Sequence, residues 1–168
     1  MTEVRAAVPA DAYGVACLHA RSWRSAYQGL IAQDYLDSLT PEALVGRYTF
    51  GRVGLRMPAT LVAVDGCAIR GFATTGLCRD NGLPNFGELM ALYVDPAYVG
   101  AGLGGLLMTA ARERLRVVGV AGAVLWVLEA NIRARHFYER DGWWPDGAWR
   151  TAGFGNVEAR QIRYRTPL

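Results

Sequence analysis

The 168-residue chain contains no lysine: its 18 basic residues are all arginine, set against 15 acidic ones for a formal net charge of +3. It therefore has no side-chain amine to be acylated. The arginines are scattered along the chain, whereas a nucleic-acid-binding face gathers its cations into a patch or stripe, so no nucleic-acid partner is expected. Cysteine is scarce too. Cys17, Cys67 and Cys78 are odd in number and form no CxxC, and neither histidine, His19 or His136, stands at metal-ligand spacing from them. Reduced, buried thiols and no metal site are expected. No apolar run approaches the roughly 18 residues of a membrane span. The N-terminal MTEVRAAVPAD carries charges and a proline where a signal peptide would have its apolar segment, so a cytoplasmic setting without a membrane partner is expected. Repeats, low-complexity tracts and long linkers are also missing, which predicts a single domain over residues 1–168.

What is present is the composition of a globular core, 52% apolar and 20% charged. Residues 2–7 read as a short strand and 11–27 as a helix with Val15, Leu18 and Trp23 at helical spacing. After a break at Gly29, a second helical region includes Asp34, Tyr35 and Leu36 and then Pro41 to Leu44, with Thr40 placed to cap and Pro41 in the first turn. Residues 59–64 and 68–75 read as an antiparallel hairpin turning at Asp65-Gly66. A loop rich in Asp, Asn, Gly and Pro spans 79–87. Beyond it come a strand at 88–94, a helix at 102–118, a strand at 123–128, a helix at 131–140 and a closing strand at 158–165. The order is β-α-α-β-β-β-α-β-α-β, an α/β fold.

The chemistry concentrates between residues 88 and 143. Val99-Gly100-Ala101-Gly102-Leu103-Gly104 leaves a strand and opens a helix, so backbone N–H groups and the positive end of the helix dipole converge on one spot. That arrangement cradles a phosphate. Two cofactor classes fit it. Gly100, Gly102 and Gly105 satisfy the G-x-G-x-x-G dinucleotide pattern, and Glu129 ends the next strand about where a ribose-binding acid would stand. Against a dinucleotide-binding oxidoreductase, Asp95 to Val99 separate the strand from the first glycine, where that fold turns at once.

The stretch from Tyr93 to Gly104 also resembles the acetyl-CoA loop of the GNAT superfamily of N-acetyltransferases. The segment from Asn131 through Ala134, Phe137 and Tyr138 to Trp143 resembles that superfamily's second cofactor motif. The resemblance implies a single-domain fold with a mixed, mostly antiparallel sheet flanked by helices and split between strands 88–94 and 123–128, with acetyl-CoA wedged into the split. It implies cofactor contacts from Leu92, Tyr93, Val94, Val99, Gly100, Ala101, Gly102, Leu103, Gly104, Asn131 and Tyr138. The reaction implied is direct transfer of an acetyl group to a primary amine of a small molecule or peptide. Glu88 would be the general base, an N–H near Leu92 the donor to the tetrahedral oxyanion, and Tyr138 the acid that protonates the departing thiolate. By residue type alone Asn131 is a helix cap, and Ala134 and Phe137 are core.

One position departs from the superfamily, whose loop usually begins with Gln or Arg where this chain has Val99. A non-catalytic acyl-CoA-binding module is thus a second alternative. The acceptor site is expected from the early helices and the C-terminal hairpin, with Trp23, Tyr27, Tyr35 and Trp143 as its candidate residues and Trp144 and Trp149 nearby. Such aromatic density suits a cationic amine or ordinary packing equally. The resemblance also allows a homodimer.

Overall fold

The structure, a computed structural model, describes residues 1–52, 54 and 56–168. The sheet has seven strands in the order β1-β2-β3-β4-β5-β7-β6: Thr2–Ala6 (β1), Ala59–Asp65 (β2), Ala68–Leu77 (β3), Phe86–Val94 (β4), Gly122–Leu128 (β5), Trp144–Phe154 (β6) and Val157–Pro167 (β7). All neighbours run antiparallel except β4 and β5. Ala12–Ala26 (α1), Gln33–Ser38 (α2) and Pro41–Leu44 (α3) precede the hairpin, while Leu103–Val118 (α4) and Ile132–Arg140 (α5) flank β5 in sequence.

Three expectations need correction. The second helical region is two helices, because Pro41 drives Thr40 out of the helical region to φ −93, ψ 155, and Thr40 Oγ1 then accepts the N–H of Ala43 to start α3. The β2–β3 turn is Gly66-Cys67 between the paired Asp65 and Ala68. Only Gly66 has positive φ (62°), so the turn needs one such position and not two, and Cys67 lies exposed at its tip instead of buried. The third correction is an additional strand, β6. It pairs only with β7, and its ladder is interrupted between Pro145 and Trp149. Proline and an irregular register are tolerated at such an edge, and both erase the alternation by which a strand is read.

Alternation on the central strands sorts two cores onto opposite faces. Ala63 and Ala73 face Leu107, Met108, Ala111 and Leu115 of α4. Their neighbours Val62, Val64 and Phe72 pack with Val15 and Leu18 of α1. The α4 side is lined by small residues, and a Cβ at Gly71 would come within 2.8 Å of Leu107 Cδ1. That close approach seats the first turns of α4 against β3.

His19 of α1 is 7% exposed, hydrogen-bonded through Nδ1 to the Tyr48 hydroxyl and stacked on Tyr93 with ring centroids 6.1 Å apart. Its Nε2 is buried without a partner among the described residues. Burial first, and the charge of Arg47 second, lower its pKa from 6.5 to about 4. Its folded pKa lies below its unfolded one, so the unfolded chain takes up the proton first, and stability falls as pH drops from 6.5 to 4. The expected loss is up to about 3 kcal/mol. Denaturant titrations at stepped pH should show this slope in the wild type and a flatter one in His19→Gln; equal slopes would mean that His19 is protonated inside the fold.

Candidate functional site

β4 and β5 pair only at Phe86–Gly122, Gly87–Ala123 and Glu88–Val124. Immediately beyond, the β3–β4 register shifts so that Thr75 opposes Leu89 and Thr74 opposes Ala91, leaving Met90 as an extra residue in β4. A bulge bends the strand that carries it. β5 meanwhile stays paired with β7 along its whole length, from Gly122–Pro167 to Leu128–Gln161. The sheet therefore parts after Glu88, and a cavity of about 650 Å³ occupies the parting.

One wall of the cavity is the open edge of β4. The Asp95 N–H donates to the Arg70 carbonyl at 2.7 Å, which fixes the alternation of the β3–β4 ladder. Tyr93 and Ala91 exchange bonds with Phe72 and Thr74, and Leu92 and Val94 turn their N–H and C=O groups toward the parting. The N–H of Leu92 thus lies on the cavity side of β4.

The glycine turn forms one end. Asp95, nearly buried, anchors it: Oδ1 accepts the Ala97 N–H at 3.1 Å and Oδ2 accepts from Arg21 Nη2 at 3.1 Å, with Arg70 Nη1 at 3.6 Å. Tyr98 lies beneath the Arg70 guanidinium, 4.2 Å from ring centroid to Cζ. Gly100 and Gly102 then adopt φ of 88° and 86°, and Gly102 precedes the first residue of α4. The N–H of Leu106 closes the first helical bond on Gly102, so the earlier donors of the turn are left free, as at any helix start. Ala101 differs from its neighbours: its N–H is taken by the Tyr98 carbonyl at 3.2 Å, and it does not line the cavity. Its expected cofactor contact finds no support in that placement.

α5 forms the opposite wall. Asn131 Oδ1 accepts the Ala134 N–H at 3.3 Å, so the residue is a cap, and it also lines the cavity. Phe137 faces Gly104, where an added Cβ would come within 3.2 Å of its ring, which ties the two motifs together. Tyr138 lines the cavity, and its hydroxyl has no protein partner among the described residues. Burial, and then the neighbouring Tyr93, push its pKa upward, so the phenol remains protonated at neutral pH.

Glu88 lines the cavity at 2% exposure, which makes it a buried carboxylate and not a solvated strand start. It accepts from Arg79 three times, from Nη2, Nε and the backbone N–H. That bond raises the Arg79 pKa, keeping the guanidinium charged. Trp23 and Tyr27 line the cavity as well, with the Tyr27 hydroxyl 3.4 Å from that of Tyr93.

Two expected acceptor residues stand elsewhere. Tyr35 packs edge-on against Phe154 at 5.7 Å, outside the cavity lining. Trp143 is 2% exposed in the core beneath α4, with Nε1 donating to Asp141 at 3.0 Å and the Arg112 guanidinium 5.4 Å from its ring. The chain turns at Gly142, φ 90°, and sends Trp143 inward while Trp144 is left 47% exposed. Residues that sequence reasoning did not single out line the site too, among them Arg79, Trp126, Arg133, Arg140 and Arg150. No group of three or more His, Cys, Asp or Glu among the described residues could hold a metal ion, and no helix there is long and apolar enough to cross a membrane.

The sequence pattern of the acetyltransferase (GNAT) family matches residues 20–143, most of the chain and both walls of the cavity. The chain belongs to that family. It is 30% identical over 132 residues to the uncharacterized N-acetyltransferase YuaI of Bacillus subtilis, a match covering 78% of this chain and 74% of that protein. Its fold is similar to the PaiA N-acetyltransferase of Thermoplasma acidophilum in complex with coenzyme A, with TM-score 0.77 and 18% identity over 100% of this chain and 99% of that one. YncA of Salmonella typhimurium, a putative acetyltransferase solved with acetyl-CoA, gives TM-score 0.68 and 17% identity over 99% and 94%.

Acetyl transfer is the chemistry of a GNAT enzyme, and the dinucleotide alternative loses its ground. A doubly wound fold needs a parallel sheet, whereas here β4 has an antiparallel neighbour in β3 and three parallel pairs with β5. Glu129, the candidate ribose acid, is instead paired with Arg160 at 3.1 Å.

Proposed function

We propose that this chain transfers the acetyl group of acetyl-CoA directly to a primary amine of a small molecule or peptide. The observation that carries the reading is one cavity that joins the free N–H groups of the glycine turn, the open edge of β4, Glu88 and Tyr138. The turn and the dipole of α4 would hold the pyrophosphate. Val99 offers that group no side-chain donor, but Arg133 and Arg140 of α5 line the same cavity and supply the charge it lacks. In the two neighbours solved with ligand, the bound molecules are coenzyme A and acetyl-CoA.

In the reaction, Glu88 takes a proton from the ammonium form of the acceptor, directly or through one water, and frees the nitrogen lone pair. The nitrogen attacks the thioester carbonyl, and the N–H of Leu92 donates to the oxygen as charge collects there. The carbon–sulfur bond then breaks and Tyr138 gives its proton to the departing thiolate, while the second proton that the nitrogen sheds as the amide forms returns through water to the Tyr138 phenolate. None of the three cysteines lines the cavity, so the transfer passes through no cysteine acyl-enzyme.

The deciding experiment is calorimetric titration with acetyl-CoA and NAD, followed by thiol release against an amine panel. Binding of acetyl-CoA, none of NAD, and amine-dependent thiol release are expected. Binding without release would identify a module that retains acyl-CoA but has no transferase activity. The absence of lysine keeps side-chain self-acetylation from imitating turnover. Glu88→Gln is expected to lower kcat about 100-fold. An unchanged kcat would assign the proton to water.

A further inference from the structure

The arginines around the Glu88 end of the cavity differ in one respect. Arg79 is paired with Glu88, Arg163 with Asp80 and Asp146, and Arg165 with Asp146. Arg150, an exposed residue that lines the same cavity, pairs with no carboxylate among the described residues. It is nevertheless held in place. Its guanidinium lies 4.1 Å over the ring of Trp126, and its Nε donates to Gln161 Oε1 at 2.7 Å. Trp126 is itself fixed by the bond from its Nε1 to Asp80 at 3.0 Å. Stacking and one bond through Nε leave both terminal nitrogens free, which is the fork that binds an oxyanion in two parallel hydrogen bonds. Among the described residues Glu88 is the single acid lining the cavity, and Arg79 already engages it.

We propose that Arg150 determines acceptor specificity by binding an anionic group of the acceptor, so that the substrate is an amino-acid-like amine carrying a carboxylate or a phosphorus oxyanion. The proposal rests on the transfer reading above and narrows its acceptor class. A polyamine fits poorly, because its second ammonium would face Arg150 and Arg79. Burial lowers the Arg150 pKa most, Asp80 and Glu88 favour its charge from a distance and Arg79 opposes it, so a bound anion would act against the burial and the Arg79 charge. β6 and β7, which carry Arg150 and Gln161, lie beyond the segment that matches the family pattern. This end of the cavity is therefore free to differ between relatives that share one cofactor.

The test uses matched acceptors: amino acids, their decarboxylated amines, the corresponding aminoalkyl phosphonates and phosphinates, and spermidine. The readout is the ratio of kcat/KM for the anionic member to that for the neutral member of each pair. The ratio should favour the anionic member in the wild type and fall about 30-fold in Arg150→Gln, mainly through acceptor KM, with Arg150→Lys restoring part of it. The carboxylate and phosphorus series together identify the oxyanion. A preference for neutral amines or spermidine, or a ratio unmoved by Arg150→Gln, would overturn the proposal. Thermal shifts of the CoA-loaded protein by the same compounds read the anion site without turnover. Anion-dependent shifts lost in Arg150→Gln, without thiol release, would uphold the site and sink the transfer reading; no such shifts and no release would sink both.

Discussion

Replacing Gly102 with valine is expected to weaken acetyl-CoA binding at least 100-fold, on the order of 3 kcal/mol, while the protein stays folded. Gly102 stands at φ 86° immediately before α4, a conformation that costs an L residue about 1–2 kcal/mol and a β-branched one more. A Cβ there meets no heavy atom within 4 Å, so no core contact has to give way to it. The strain is relieved by rotating the peptide out of the left-handed region, and that rotation would turn away the N–H groups of the proposed phosphate site. The melting temperature should fall by no more than about 2–8 °C. Isothermal calorimetry with acetyl-CoA reads the affinity and a thermal melt the stability. Wild-type affinity in a folded Gly102→Val protein would remove the glycine turn as the pyrophosphate site.

The turn could be read in the sequence because its chemistry is local. A glycine required by positive φ, a helix start and a preceding apolar strand all lie within a dozen positions. Thr40 before Pro41 and Asn131 before α5 are legible for the same reason, since a cap contacts residues within one turn of itself. The acceptor end follows no such rule. Glu88 reaches Arg79 across a loop, and Arg150 reaches Trp126 from β6 to β5, pairings that depend on how strands are ordered in space. The order β5-β7-β6 was itself obscured, because β6 sits at the sheet edge with Pro145 and Gly147 inside it and loses its regular register. Trp143 shows the consequence for a single residue: neighbouring tryptophans share a composition signal, and only the turn at Gly142 decides which is core.

Tyr138→Phe should lower kcat about 100-fold and leave the KM for acetyl-CoA within a factor of about two, because uniform binding is kept and only a transition-state proton is lost. Phenylalanine preserves the packing of the ring, whose centroid lies 5.5 Å from that of Phe137, 6.3 Å from Trp143 and 6.4 Å from Tyr164. The hydroxyl is free of protein partners among the described residues, so its removal orphans no buried group. Burial raises the phenol pKa, which makes Tyr138 a weaker acid in the resting enzyme. The same low-polarity surroundings raise the basicity of a thiolate expelled beside it, since both anions lose the stabilisation of water, and proton transfer therefore stays matched as the carbon–sulfur bond lengthens. An acid must be protonated to act, and a raised pKa keeps Tyr138 active throughout the neutral and mildly alkaline range. The wild-type rate should show no alkaline fall attributable to it below about pH 10, the ordinary tyrosine value. Steady-state kinetics across pH, with thiol release as the signal, decide the matter. A Tyr138→Phe enzyme with wild-type kcat would transfer the role of acid to water or to the proton released by the attacking amine.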